Sequence, residues 1–388
     1  MKTIHKLMAW LLAGCMSVMA QQFDPGSDGS LGDFVSKSSV NTITLPPDGV
    51  LKYRTFTVQE GHTVVFAPNK ANTPVSVLAT GDIVVRGMIE ISGSSPALNS
   101  WSGGLPGPGG FRGGNSRTDG QQGGAGMGPG GGQGYLGSLD SQDLSDTVAP
   151  GSAGHRFRPA GRGEQNGRAY GSATLIPLVG GSGGGGGWRF PGGGGGGAIL
   201  LASATRIQVV SSGEIRAKGG ASSHENGGSG GAIRLVAPVV GGGGALDVSG
   251  EASASMGRIR LDALNASVGT FDTRGAVPAV GSLMVTGLNL PGAPRLGVVQ
   301  LGSQALVAGE SGVVSVMLPP GASTNQTLVV EAANFGRKVP VTVALIPDSG
   351  VRVSVAAEID NAAGGVTRAT VPVSFPLNVT TRVAVWTR

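Results

Sequence analysis

The 388-residue chain has one cysteine, Cys15, so no internal disulfide can brace it. Only 13% of its residues are charged, and the formal net charge is +5. That charge is dispersed along the chain, which excludes the concentrated basic face that nucleic-acid binding requires. Aromatic residues make up 4%. Such a chain cannot fill a core with large side chains. After the first 20 residues no apolar run reaches the roughly 18 residues of a membrane-spanning helix, so no transmembrane span is expected. Nucleophile, base and acid never occur in a recognisable catalytic spacing. His62 stands alone in a Glu60-Gly-His turn, where it reads as a solvated turn residue.

What is abundant is glycine, 72 residues. Between Gly183 and Gly275 the glycines punctuate a repeat. Each unit opens on a short apolar run: Gly197-Ala-Ile-Leu-Leu, Gly231-Ala-Ile-Arg-Leu and Gly257-Arg-Ile-Arg-Leu. Each closes on an alternating run between two glycines: Gly213 to Gly219, Gly244 to Gly250 and Gly269 to Gly275. A further copy lies upstream, at Pro74 to Leu78 and Gly87 to Gly93. A period of roughly 20–35 residues means stacked units. Alternation with period two means strands with one face inward.

The expected fold is all-β, a right-handed parallel β-helix over residues 40–290. Stacking would align Ile199, Ile233 and Ile259, then Leu201, Leu235 and Leu261, then Ile91, Ala217 and Val248. Glu90, Arg216, Asp247 and Asp272 would form an outward charge ladder. Asp247, Asp262 and Asp272, with Arg234, Arg258 and Arg260, read as solvated decoration of the outer face. The alternative fold is an irregular β-sandwich with long loops. Residues 295–388 lose glycine and gain valine, in alternating runs such as Val339 to Leu345 and Val366 to Val373. They are expected to form a C-terminal antiparallel immunoglobulin-like β-sandwich. Leu288 to Pro294 marks the boundary.

The N-terminus reads as a signal peptide over residues 1–20: basic Met1 to Lys6, apolar Leu7 to Met16, and a small-residue cleavage site ending at Ala20. Leu12-Ala-Gly-Cys15 resembles a lipobox, the alternative reading, which would lipidate Cys15 and supply a lipid anchor. Either way the protein is exported, as a secreted or cell-surface protein or as an outer-membrane lipoprotein. In the entry segment, 21–39, Asp24, Asp28 and Asp33 offer oxygen ligands for calcium, the one cofactor considered. Their spacing is not that of an EF-hand, and a solvated entry segment is the preferred reading.

Residues 94–196 interrupt the repeat. More than a third of the stretch from Gly93 to Gly197 is glycine, yet it holds Trp101, Phe111, Tyr135, Phe157, Tyr170, Trp188 and Phe190. The aromatics argue for packing, with glycine runs on extended polyproline-II-like paths. The runs flanking Trp188 lack the Lys and Ser/Thr of a phosphate loop. As a loop on a rigid scaffold, the insertion is the place for ligand contact. Trp101, Tyr135, Tyr170, Trp188 and Phe190 are the candidate binding residues.

The run FDPGSDGS, LPPDGV, FTV, GHTVVFAPN and ANTPV near the N-terminus resembles a family of Gly-rich secreted bacterial proteins. Gly227 to Ala237 resembles the same family's later repeats. More loosely, the strand units resemble right-handed parallel β-helices of autotransporter passengers, adhesins and polysaccharide lyases. The resemblance implies an adhesin-like, non-enzymatic surface or extracellular protein that binds a glycan or matrix component. A β-helix polysaccharide lyase or hydrolase, and a purely structural matrix component, remain the alternatives.

Overall fold

A computed structural model describes residues 23–116, 123–134, 169–187, 189–222, 226–251, 254–266, 270–283, 294–306, 316–319 and 321–387. Residues 1–22, which hold the expected signal peptide and Cys15, lie outside the described residues. Every regular element described is a β-strand.

The first part of the chain builds three parallel sheets. The first contains β1 (Asp33–Val35), β4 (Thr55–Val58), β7 (Ile83–Val85), β10 (Arg206–Val209), β13 (Val239–Gly242) and β16 (Asn265–Ala266). The second contains β2 (Val40–Thr44), β5 (Thr63–Ala67), β8 (Met88–Glu90), β11 (Glu214–Arg216) and β14 (Ala245–Asp247). The third contains β3 (Val50–Tyr53), β6 (Val75–Ala79), β9 (Ala198–Ser203), β12 (Ala232–Val236), β15 (Arg258–Asp262) and β17 (Ala279–Gly281). From β1 to β16 the chain visits the sheets in strict rotation, so each strand pairs with the one three places on.

One turn therefore supplies three strands, where the repeat in the sequence shows two. The opening and closing runs are the third-sheet and second-sheet strands. Between them runs a first-sheet strand, such as Arg206–Val209, too short to stand out as a repeat of its own. The third sheet ends on β17.

The expected columns are in register. Ile199, Ile233 and Ile259 are paired neighbours, as are Leu201, Leu235 and Leu261. All six are buried in one core that runs the length of the three sheets, together with Ile91, Ala217 and Val248. Against the expectation from composition, large side chains do fill this core, because the few aromatics are gathered in its first turns: Phe34, Tyr53 and Phe56 pack there, with Phe34 stacked on Phe56 at 4.5 Å. Glu90, Arg216 and Asp247 form the outer ladder. Asp272 does not join it: it pairs with Ala245, two residues off the expected position. An offset of two preserves the face, so Phe271 still points into the core.

Two antiparallel sheets follow. One orders β19 (Gln304–Ala305), β18 (Arg295–Leu301), β20 (Asn325–Ala333) and β23 (Val366–Ser374). The other orders β22 (Val353–Asp360), β21 (Lys338–Pro347) and β24 (Thr381–Thr387). Leu328, Val330 and Val371 from one sheet share a core with Val341, Val343 and Ile359 from the other. The strand β18 follows directly on the boundary, where no alternating run is expected.

Candidate functional site

The insertion leaves the coil after β8 and returns at β9, at the corner between the second and third sheets. Its returning limb, Gly192 to Gly197, is the axis of a lattice of extended glycine chains. The donors repeat with period three. Gly192 and Gly195 donate to the carbonyls of Gly114 and Phe111, at 2.9 and 2.8 Å. Gly193 and Gly196 donate to Asn226 and Ser229, at 3.0 and 2.9 Å. Gly194 and Gly197 donate to Ser94 and Ile91, at 3.0 and 2.8 Å.

The acceptors repeat too. Gly104 and Gly107 donate to Gly192 and Gly195, Gly184 and Gly181 to Gly193 and Gly196, and Gly220 to Gly194. Three residues per turn is the polyproline II geometry, which makes no hydrogen bonds within its own chain. Here six neighbouring segments pair with the backbone groups instead, so every amide from Gly192 to Gly197 has a partner. Neighbours this close leave no room for a side chain. A Cβ on Gly193, Gly195 or Gly196 would collide with the carbonyl of Gly220, Gly181 or Ala217. This is why the sequence is poly-Gly here. Asn226, Ser229 and Gly220 belong to later turns of the coil, so lattice and coil are one structure.

Large side chains are displaced to the rim. Leu98, Trp101 and Leu105 are 96%, 53% and 62% exposed, although eight residues contain all three. Their backbone is tied down. Ser116 donates to the Trp101 carbonyl through its N–H at 2.9 Å, and Asn115 Oδ1 accepts from Gly103 N at 3.0 Å. Arg112 Nε donates to the Gly103 carbonyl at 3.2 Å. Ser94 N donates to the Leu105 carbonyl at 2.8 Å, and Leu105 N returns to Ser94 Oγ at 2.9 Å. Trp101 thus stands on a fixed backbone with its ring half in solvent.

The other candidate aromatics do not join it. Tyr170 is a packing residue: its hydroxyl donates to the Gly180 carbonyl and accepts from Ser182 Oγ. Burial pushes its phenol well above the usual range. Its carbonyl accepts Arg258 Nη2 at 2.6 Å, and desolvation lowers the Arg258 pKa. Phe190 is half-buried, and its carbonyl accepts Asn226 Nδ2 at 2.9 Å. Tyr135 and Trp188 lie outside the described residues. Leu98 and Leu105 were missed in the sequence, where an exposed leucine carries no signal of its own.

The calcium candidates are occupied separately. Asp24 caps a turn through Gly26 N. Asp28 accepts Ser30 N and pairs with Lys52 at 3.5 Å. Asp33 binds Arg54 and Thr55. Among the described residues no three His, Cys, Asp or Glu side chains gather as a metal site would need.

The outer-face charges correct the solvated reading. Asp262 is fully buried between Arg234 (Nη2 to Oδ2, 2.9 Å) and Arg260 (Nε to Oδ1, 2.6 Å). Asp247 is buried as well and caps Ser249 N. Asp272 is exposed and pairs with Arg274. These carboxylates lie on different strands and do not converge on a groove. Among the described residues no helix is long and apolar enough to cross a membrane. Comparison of the chain with protein-family models, with curated proteins and with solved structures gives no match.

Proposed function

We propose that this is an exported, adhesin-like binding protein without enzymatic activity, whose contact surface is the rim carrying Leu98, Trp101 and Leu105. One observation carries the reading: an indole and two leucines are held outward on a backbone fixed at both ends. A fixed backbone lowers the ordering cost of binding, and an exposed aromatic face suits the apolar face of a sugar. A glycan or matrix component is therefore the proposed ligand. Export, by signal cleavage or with a lipid on Cys15, follows from the leader. Kinship with Gly-rich secreted bacterial proteins rests on the motifs quoted above.

In this reading the three-sheet coil is a right-handed parallel β-helix. Strict rotation of strands supports it, and so does the strong preference of parallel crossovers for the right hand. The C-terminal sheets are an immunoglobulin-like sandwich, supported by seven strands around one core. A glycan array probed with the mature protein and with Trp101→Ala tests the function. Binding that falls about tenfold in the variant is expected, the scale of one interfacial hot spot. Equal binding by both proteins would remove the rim from the site. Cleavage of an arrayed polymer would favour the lyase or hydrolase instead.

A further inference from the structure

The lattice segment Gly123 to Gly134 reads GGAGMGPGGGQG. Glycine loses more conformational freedom on ordering than any other residue, and it buries almost no apolar surface. The segment's few apolar side chains must carry its packing, and two of them face the C-terminal sheets. Ala125 and Met127 pack against Ala344, Ile346, Ala384 and Trp386, on the face of β21 and β24 that points away from their own core.

Polar links fix the same contact. Gly124 and Gly350 form a parallel bridge. Arg352 donates from Nη1 to the Gly128 carbonyl at 2.8 Å and from Nη2 to Pro129 at 3.3 Å. Its guanidinium lies 5.0 Å from the centre of the Trp386 ring. Arg382 reaches the Met127 sulfur at 2.9 Å. Burial of Arg352 lowers its pKa to about 10, as expected of a cation enclosed mostly by carbonyls and an indole.

We propose that the C-terminal sheets act as a clamp that orders this part of the glycine lattice. The clamp reaches the candidate binding rim through Arg112, whose carbonyl accepts Met127 N at 2.9 Å while its Nε donates to the Gly103 carbonyl, and through Asn115. Asn115 accepts Gly124 N on its carbonyl and Gly103 N on its side chain, and Gly103 is two residues from Trp101.

Hydrogen–deuterium exchange on the full chain tests this. In Arg352→Ala/Trp386→Ala, the amides of Gly126, Met127 and Gly132 should exchange at least tenfold faster. Amides of β12 and of the inner C-terminal core, such as Val330 and Val343, should keep their protection. Met127→Asp breaks the contact from the lattice side and leaves the C-terminal sequence intact. It should give the same pattern, and it covers the case in which the double variant unfolds the C-terminal sheets. Unchanged protection over residues 123–134 in Met127→Asp would overturn the proposal. So would loss of protection spread evenly over β12 and the lattice, because that would report global unfolding rather than release of a clamp.

Discussion

At Gly195 a single methyl group decides whether the lattice closes. Its Cβ would strike the Gly181 carbonyl, which cannot move without breaking its neighbours' bonds. Gly195→Ala should cost about 3 kcal/mol or more, in the range of overpacked and backbone-strained sites. Gly61 is the control. It has a positive φ of +73°, but nothing lies within 4 Å of an added Cβ. Gly61→Ala should cost only about 1–2 kcal/mol of left-handed strain. Chemical denaturation of both variants checks the contrast, and equal losses would refute the packing drawn here. Asp33 makes a pH prediction. Hydrogen bonds from Arg54, then from Thr55, lower its pKa from 3.8 to about 2. A depressed folded value means that the pairing is present above the unfolded pKa and is lost as pH falls through about 2. An NMR titration of the Asp33 carboxyl should show that midpoint, and Arg54→Ala should move it back toward 3.8. The pair is exposed, so its share of stability is small.

At the scale of the strand, much was legible and the reasons for the misses are specific. Inward columns follow from period-two alternation, so Ile233 and Leu235 could be placed from the sequence alone. First-sheet strands were invisible because Arg206–Val209 and Val239–Gly242 are only four residues long, too short to show an alternation of their own. The lattice was half legible. Glycine abundance pointed to extended packed chains, but its six partners come from segments far apart in sequence. Trp101 could be named as a candidate, whereas nothing local shows that the Tyr170 hydroxyl is tied to the Gly180 carbonyl. Arg234, Arg260 and Asp262 look like ordinary outward charges on an alternating strand. Their burial arises because other chain covers that face: Leu178 and Leu283 pack over Leu200 and Val236, and Gly281 lies against Arg260. Asp262→Asn removes the charge between two buried guanidinium groups. It should destabilise the coil by about 3–5 kcal/mol, the cost of breaking a buried pair from one side. A thermal melt within a degree of the parent would show that Asp262 is not the counter-charge those arginines depend on.

At the scale of the molecule, the insertion behaves as part of the scaffold that carries it. Loop-closure entropy alone would let the coil lose residues 94–196 with little penalty, since that cost grows slowly with length. The contacts argue otherwise. Leu175 and Leu178 cover Ala198 and Ala232, and Leu178 also covers Leu200, on the outer face of the third sheet. The limb from Gly192 to Gly196 pairs with Asn226 and Ser229 of a later turn. Excision would bare apolar surface on β9 and β12 and leave those backbone groups to water. Unpaired or newly hydrated amides and exposed leucines each cost free energy, and the coil has no disulfide to offset the loss. Replacing residues 94–196 by a short Gly/Ser linker should therefore abolish the cooperative melt of the coil, not merely remove ligand binding. Circular dichroism melts and limited proteolysis of the shortened chain measure this. A sharp transition near the parent temperature, with β-type spectrum intact, would mean that the lattice is appended to the coil and not built into it. The rim at Trp101 would then be a graft on an independent rod. If the melt is lost, the binding surface and the scaffold share one set of hydrogen bonds, and a substitution such as Gly195→Ala should weaken ligand binding and stability together.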